Sequence, residues 1–232
     1  MADHNKSGLP ASDQWRALAR NDWAEILVLL EKKTFRRKFQ IIEAFSNLAS
    51  VRGFHRVSHA DIARVCGITR PVVSHHFPTE EHLISLTYRY TYARLQKYCA
   101  DAVTSKSGTI NQIKGYIDAI ARWTYEHQSD ARFLSQFFAL MQTSPEYLAL
   151  YERNLRIGRE RISALCLAAQ AEGSLSELSQ TEVAARAASM QLQLFGFIVI
   201  HSARQGTSLT QDDRKELIRS CLQVLGYSRQ RP

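Results

Sequence analysis

The chain is 232 residues long, 45% hydrophobic, and carries a formal net charge of +8. Such a length holds one large domain or two small ones, and the apolar share is that of an ordinary globular chain with a sizeable core. Helix formers dominate, the five prolines spare the long periodic runs, and period-two Val/Ile/Thr stretches are absent. These features exclude a β-rich fold and predict an all-α one. The apolar run 195–200 is far short of a membrane span.

Met1 to Ala11 is polar and reads as disordered, with no signal peptide. Residues 12–33 then show helical spacing of Trp15, Leu18, Ala19, Ile26, Leu29 and Leu30. This amphipathic extension, 1–33, must bury its face on its own domain, on a second subunit, on DNA or, less readily, on a membrane surface. Thr34 opens the next helix, whose buried side is marked by Phe35, Phe39, Ile42, Ala44, Phe45, Leu48 and Ala49, and which ends at Gly53.

The stretch 58–77 carries the most information. Ser58 with Asp61 three residues on resembles a capping box, and Ala60, Ile62, Ala63 and Val65 mark the buried side of a short helix. Gly67 permits a left-handed turn. Thr69 caps the following helix, Pro71 sits in its first turn, and Pro78 stops it. In that helix Val73 and Phe77 fit an inner face, and Arg70, Val72, Ser74 and His75 an outer one. A helix divided in this way is suited to the major groove of DNA. Arg70 can hold a guanine edge with two hydrogen bonds, Val72 can touch a thymine methyl, and His75 can donate to a base or a phosphate. Backbone N–H groups at the helix starts Ser58, Thr69 and Thr79 attract phosphate oxygens.

Charge supports this reading. Between Glu31 and His76 stand nine basic residues (Lys32, Lys33, Arg36, Arg37, Lys38, Arg52, Arg56, Arg64, Arg70) against three acids, most of the chain's excess. As a cluster they suit phosphate contact; Arg52 and Arg64 taken singly read as solvated. Histidines are dense here, but His55 and His59 lack an acidic or thiol partner at ligand spacing. No cofactor and no metal site is expected. Ser74, beside His75 and His76, does not make a nucleophile, because adjacent helical residues point apart. Cys66, Cys99, Cys166 and Cys221 lack any Cys-x-x-Cys spacing, which predicts free, mostly buried thiols in a reducing cytoplasm.

Residues 39–86 resemble the TetR family of bacterial one-component transcription regulators. The resemblance rests on Ile42-Glu-Ala, Gly53-Phe, Ser58 with Asp61-Ile-Ala, Cys66-Gly-Ile-Thr, and His76-Phe-Pro-Thr-Glu-Glu-His-Leu83. It implies a three-helix DNA-binding head over 34–80, and a linker helix plus ligand-binding and dimerisation body over 81–232, acting as a repressor relieved by a small molecule. Through the resemblance, His76 joins the DNA-facing set with Lys32, Lys33, Arg36, Arg37, Ser58, Thr69, Arg70, Pro71, Val72, Ser74, His75 and Thr79. The chain departs from the family at Ser74, where tyrosine is usual, and at Glu80, where lysine is usual. The helix over 12–31 is expected to brace the head and deliver the basic cluster to the phosphates.

Beyond residue 78 helices are expected at 79–103, 110–127, 131–143, 145–170, 181–205 and 210–226, with the body beginning near a polar and glycine break at 105–109. The last two are the dimer elements that the resemblance implies, through Met190, Leu194, Phe197 and Ile198 on one and Leu217, Ile218, Cys221 and Leu222 on the other. Trp123, Phe137, Phe138, Met141, Tyr147, Tyr151, Phe195 and His201 are candidate lining of an effector pocket, although most such aromatic stripes are core. The expected partners are therefore double-stranded DNA, a second copy of the chain and a small apolar or amphipathic molecule, with no membrane. Rival readings are a regulator controlled by a protein partner or by no ligand, an enzyme, for which no catalytic constellation converges, and an RNA binder, for which stacking platforms are missing.

Overall fold

A computed structural model describes residues 35–204 and 208–227. The expected helix over 12–33, the cap Thr34, and Lys32 and Lys33 lie outside the described residues. Among the described residues all regular structure is helical: α1 (Arg36–Arg52), a 3-10 turn (Phe54–Arg56), α2 (His59–Cys66), α3 (Arg70–His76), α4 (Glu80–Thr104), α5 (Thr109–Glu126), α6 (Gln128–Leu140), α7 (Pro145–Ala171), α8 (Gln180–Ser202) and α9 (Gln211–Val224).

Local rules set the first three helices. Ser58 and Asp61 exchange bonds in a complete capping box, and Gly67 closes α2 at φ 63°, a conformation branched residues resist. The buried face of α2 is narrower than the sequence suggests. Ile62, Ala63 and Cys66 are buried, but Ala60 is exposed and Val65 is 58% exposed. An eight-residue helix crossing α1 offers its neighbour a single seam, here with three- and four-residue spacing. Gln40 Nε2 fastens that crossing to the Cys66 carbonyl at 3.0 Å.

The body is a bundle of α4 to α9. The expected break at 127–130 shrinks to His127, with α6 spanning Gln128–Leu140 rather than 131–143. Asp130 in the first turn of α6 complements the positive helix end and favours the earlier start. Arg214 grips Asp118 with two bonds, at 2.6 and 2.8 Å, tying α9 to α5. All four cysteines are free and buried.

One helix among the described residues, α8, is long and apolar enough to cross a membrane by length and composition alone. The run of 195–200 underestimated it, because Val183, the alanines, Met190, Leu192 and Leu194 also raise its mean hydropathy. In the fold α8 packs on α5, α6, α7 and α9.

Head and body meet along α1 and α6. Phe133 of α6 enters edge-on between Phe54 (4.9 Å between ring centroids) and Phe45 (6.1 Å). Ser46 Oγ donates to Asp130 at 3.3 Å, and Gln136 Nε2 donates to the Ser50 carbonyl at 3.1 Å. Arg94 of α4 pairs with the buried Asp130 at 2.8 Å, and Tyr90 donates to Glu43 at 2.9 Å. The seam therefore combines an apolar wedge with a polar network in which the Gln136 side-chain oxygen is left without a hydrogen-bond partner among the described residues.

Phe133→Ala removes a fully buried ring and is expected to cost about 3–5 kcal/mol in denaturant unfolding. Burial, assisted by Arg94, holds the His127 imidazole below its ordinary value, and burial with Arg204 does the same at His201. Below pH of about 6.5 the unfolded chain therefore takes up protons before the folded one, so the contribution of these rings is full at neutral pH and declines as pH falls. The denaturation midpoint should drop between pH of about 7 and about 5.5; a flat or rising midpoint would contradict it.

Candidate nucleic-acid interface and body cavity

The inner flank of α3 is sealed: Val73 and Phe77 are both 0% exposed. Its outer flank presents Arg70, Pro71, Val72 and His75 to solvent, with Ser74 and His76 partly covered. Ser74 Oγ lies 3.0 Å from His59 Nδ1, so this hydroxyl braces α3 on the start of α2.

The helix starts differ from one another. Ser58 N donates to Asp61 Oδ2 at 3.1 Å, so this N–H is committed to the capping box and not open to a phosphate. The Thr69 side chain makes no cap bond, contrary to the expected cap; its carbonyl alone receives Val72 N at 3.1 Å and Val73 N at 3.4 Å. The exposed Thr79 accepts from His82 N at 3.2 Å. Glu80 lies 3.2 Å from His55, so the acid at the family's usual lysine position has a local partner.

Basic residues divide into two groups. Arg52 and Arg64 both reach Asp61, whose carboxyl is held below its ordinary value by Ser58 first and by these arginines after. The exposed Arg36 and Arg37 stand on the first turn of α1. Arg37 and Lys38 come close enough to α3 to help burial and His75 hold the His76 imidazole below its ordinary value. The start of α1 and the end of α3 therefore form one basic surface. Lys38, counted in the basic cluster of the sequence though not among its named DNA-facing residues, belongs to it and also sits 5.5 Å over the Phe35 ring.

The body holds a partly open cavity of about 90 Å³. Tyr88, Tyr92, Leu95 and Gln96 of α4, Leu134 of α6 and Gly158 of α7 are in its wall. Of the expected pocket residues, Tyr151 and Phe195 line it. Phe138, 38% exposed, packs against both rings, at 5.8 and 5.3 Å. The others stand elsewhere. Trp123 is buried near His127, and Phe137 is stacked on Tyr88 at 3.8 Å with Tyr147 against its edge. Met141 packs on the core, and His201 is bonded to Tyr125 and stacked on Phe197. Their helical spacing marked core, and sequence spacing has no separate mark for a wall with space behind it.

The expected dimer residues are also corrected. Met190, Leu194, Phe197, Ile198, Leu217, Cys221 and Leu222 are buried within the subunit, and Ile218 is partly so. Leu194 and Ile198 face the cavity instead. The opposite side of α8 carries Leu192 and Ile200, 67% and 56% exposed, with Gly196 between them facing open space. Sequence periodicity had found the inward stripe, because it is the more apolar of the two.

The family model "Bacterial regulatory proteins, tetR family" matches residues 41–85. Curated relatives include the HTH-type transcriptional regulator BetI of Yersinia pestis, 26% identical over 131 residues, which cover 56% of this chain. The chain spans 65% of the length of these relatives. A TetR-family transcriptional regulator from Rhodococcus sp. superposes with a TM-score of 0.67 at 18% identity, covering 82% of this chain and 98% of that one. A transcriptional regulator from Saccharomonospora viridis in complex with choline gives 0.69 at 16% identity, covering 83% and 97%. The head, over residues 41–85, thus matches the TetR family of bacterial regulatory proteins in sequence, and the helical bundle shares the fold of TetR-family regulators.

Proposed function

We propose that the protein is a homodimeric repressor of palindromic operators, released by a small apolar or amphipathic effector. The division of α3, with Arg70, Val72 and His75 outward and Val73 and Phe77 sealed beneath, carries the reading. A single helix-turn-helix makes few base contacts; a two-fold dimer sets two in successive major grooves, about 34–36 Å apart. The proposed division is a DNA-binding head over 34–80 and a body over 81–232 that begins with α4. Lys32 and Lys33 enter this proposal from sequence alone.

The outer strip of α8 supports a dimer. Ala185, Ser189, Leu192, Gly196, Val199, Ile200 and Ala203 recur every three or four residues, and most of this side is exposed. A helix whose apolar surface is left uncovered by its own subunit suits a second copy lying across it.

The cavity favours control by a small molecule over control by a protein partner, and the neighbour solved with choline is a precedent for a bound small molecule in this fold. Both elements attached to the head form part of the cavity wall: α4 through Tyr88, Tyr92, Leu95 and Gln96, and α6 through Leu134. Filling the cavity would displace α4 and the Phe133 wedge together and alter the spacing of two heads. A coupling of about 1–3 kcal/mol is enough for a 5–150-fold loss of DNA affinity.

Selection from a random duplex pool should yield a palindromic consensus; no enrichment would refute specific regulation. Arg70→Ala should relax the preference at one position in each half-site, by about 1–3 kcal/mol. Arg37→Ala should weaken all sequences alike and reduce the salt slope by about one. Leu192→Glu combined with Ile200→Glu alters exposed positions only. The variant should remain folded by circular dichroism yet sediment as a monomer; an unchanged dimer would place the interface elsewhere.

A further inference from the structure

Histidine is concentrated on the head. Of the eight in the chain, five are His55, His59, His75, His76 and His82. Imidazole is the side chain whose charge changes near neutral pH, so the surface that meets DNA can change its charge there.

Two of these rings close α3. His75 and His76 stand in its last turn, with ring centroids 5.4 Å apart. His75 is exposed and His76 partly covered. Burial first, then His75, Lys38 and Arg37, hold the His76 imidazole below its ordinary value, and no acid acts on it. Lys38 and Arg37 approach from α1. From α2, His59 reaches the same helix through Ser74, at 3.0 Å. From α4, the His82 ring packs 5.4 Å from that of Phe77, the residue after the pair. Two acids of the head are engaged elsewhere: Asp61 by Ser58, Arg52 and Arg64, and Glu80 by His55 at 3.2 Å.

A proton on the pair is therefore opposed by the same cations that suit a DNA backbone. A phosphate set against Arg37 and Lys38 cancels their field and adds its own negative charge beside the rings. What opposed the proton then favours it. Phosphate and proton raise each other's affinity for the head, because linkage between two ligands is reciprocal.

We propose that the His75–His76 pair takes up a proton as α3 and the start of α1 settle on the phosphate backbone, so that the protein grips duplex DNA more tightly as pH falls. This rests on the DNA-binding reading above. The proton belongs to the pair rather than to one ring, since neighbouring sites titrate together. Because the complex holds the proton more tightly, the extra grip is full below the range of the free pair and is lost as pH rises through the range of the bound one. Head and body answer acid in opposite senses: folding weakens through His127 and His201, while the grip on DNA strengthens.

The test is the affinity of the full chain for two labelled duplexes, one recovered from the random pool and one of scrambled sequence. It is followed by fluorescence anisotropy between pH of about 8 and about 6.2 at fixed ionic strength. Circular dichroism at each pH confines the comparison to folded protein. Affinity for both duplexes should rise about threefold to tenfold on acidification, as one pKa unit between free and bound pair is worth a factor of ten. Calorimetry in two buffers of different ionisation enthalpy should show net proton uptake. The salt slope should steepen on the acid side by up to about 0.9, the value of one more phosphate contact. His75→Gln combined with His76→Gln should flatten most of the pH response, whatever it does to affinity itself. His76→Lys, whose charge is fixed, should flatten it from the other side by binding tightly at pH of about 8 as well. Affinity that is level or falls with acid, no proton uptake, or a pH response unchanged in the double variant would overturn the proposal and leave the DNA reader standing. Binding to neither duplex at any pH would remove both.

Discussion

The seam between α1 and α6 is the constraint on which the architecture depends. A head of three helices has only a small core around Phe45, Ile62, Val73 and Phe77, to which α2 adds just Ile62, Ala63 and Cys66. Small helical units of this size are marginal unless they bury a face on something larger. Phe133 supplies that face from the body, and its edge-on contacts with Phe45 and Phe54 are each worth about 0.5–1.5 kcal/mol beyond area burial. The same helix carries Asp130, whose carboxyl is pushed above its ordinary value by burial and drawn back by Arg94. A carboxylate in that position is tolerable only while its partners hold, so head, linker helix and body must keep their registers together. The orientation of α3 is thereby set by residues that lie far from any base.

Much of this was legible in the chain itself. The reading head could be found because its rules are local: Ser58 with Asp61 for the cap, Gly67 for the left-handed turn, Pro71 just inside α3, Pro78 just past it. The order of helices followed from periodicity, and their ends came within a few residues. Partner choice was not legible. The stripe Met190, Leu194, Phe197 and Ile198 was correctly seen as buried, yet helical spacing cannot say whether the covering neighbour belongs to the same subunit or to another. The weaker strip through Leu192 and Ile200 is broken by Gly196 and Ser189 and has no comparable signal. For the same reason Phe137 and Trp123 could not be told from cavity lining, and the docking of α6 on the head had no mark in sequence at all. Phe133 is one aromatic among several until the fold brings Phe54 to it.

The two halves of the molecule use charge differently. On the head, Arg36, Arg37 and Arg70 remain in solvent, where charge steers association and responds to salt. In the body, the buried Arg161 is an expense that hydrophobic residues of like volume would avoid. Retaining it beside Gln96 gives the interior a polarity that packing alone does not require.

The sealed thiols have a consequence of their own. Burial pushes the Cys166 and Cys221 thiols up to about 12, and Cys99 is entirely covered. Thiolate rather than thiol is what alkylating agents and peroxides attack, so the closed bundle is chemically mute. Each excursion that parts α4, α7 or α9 from its neighbours lets one of these sulfurs react, which turns the rate of modification into a clock for the breathing of the body.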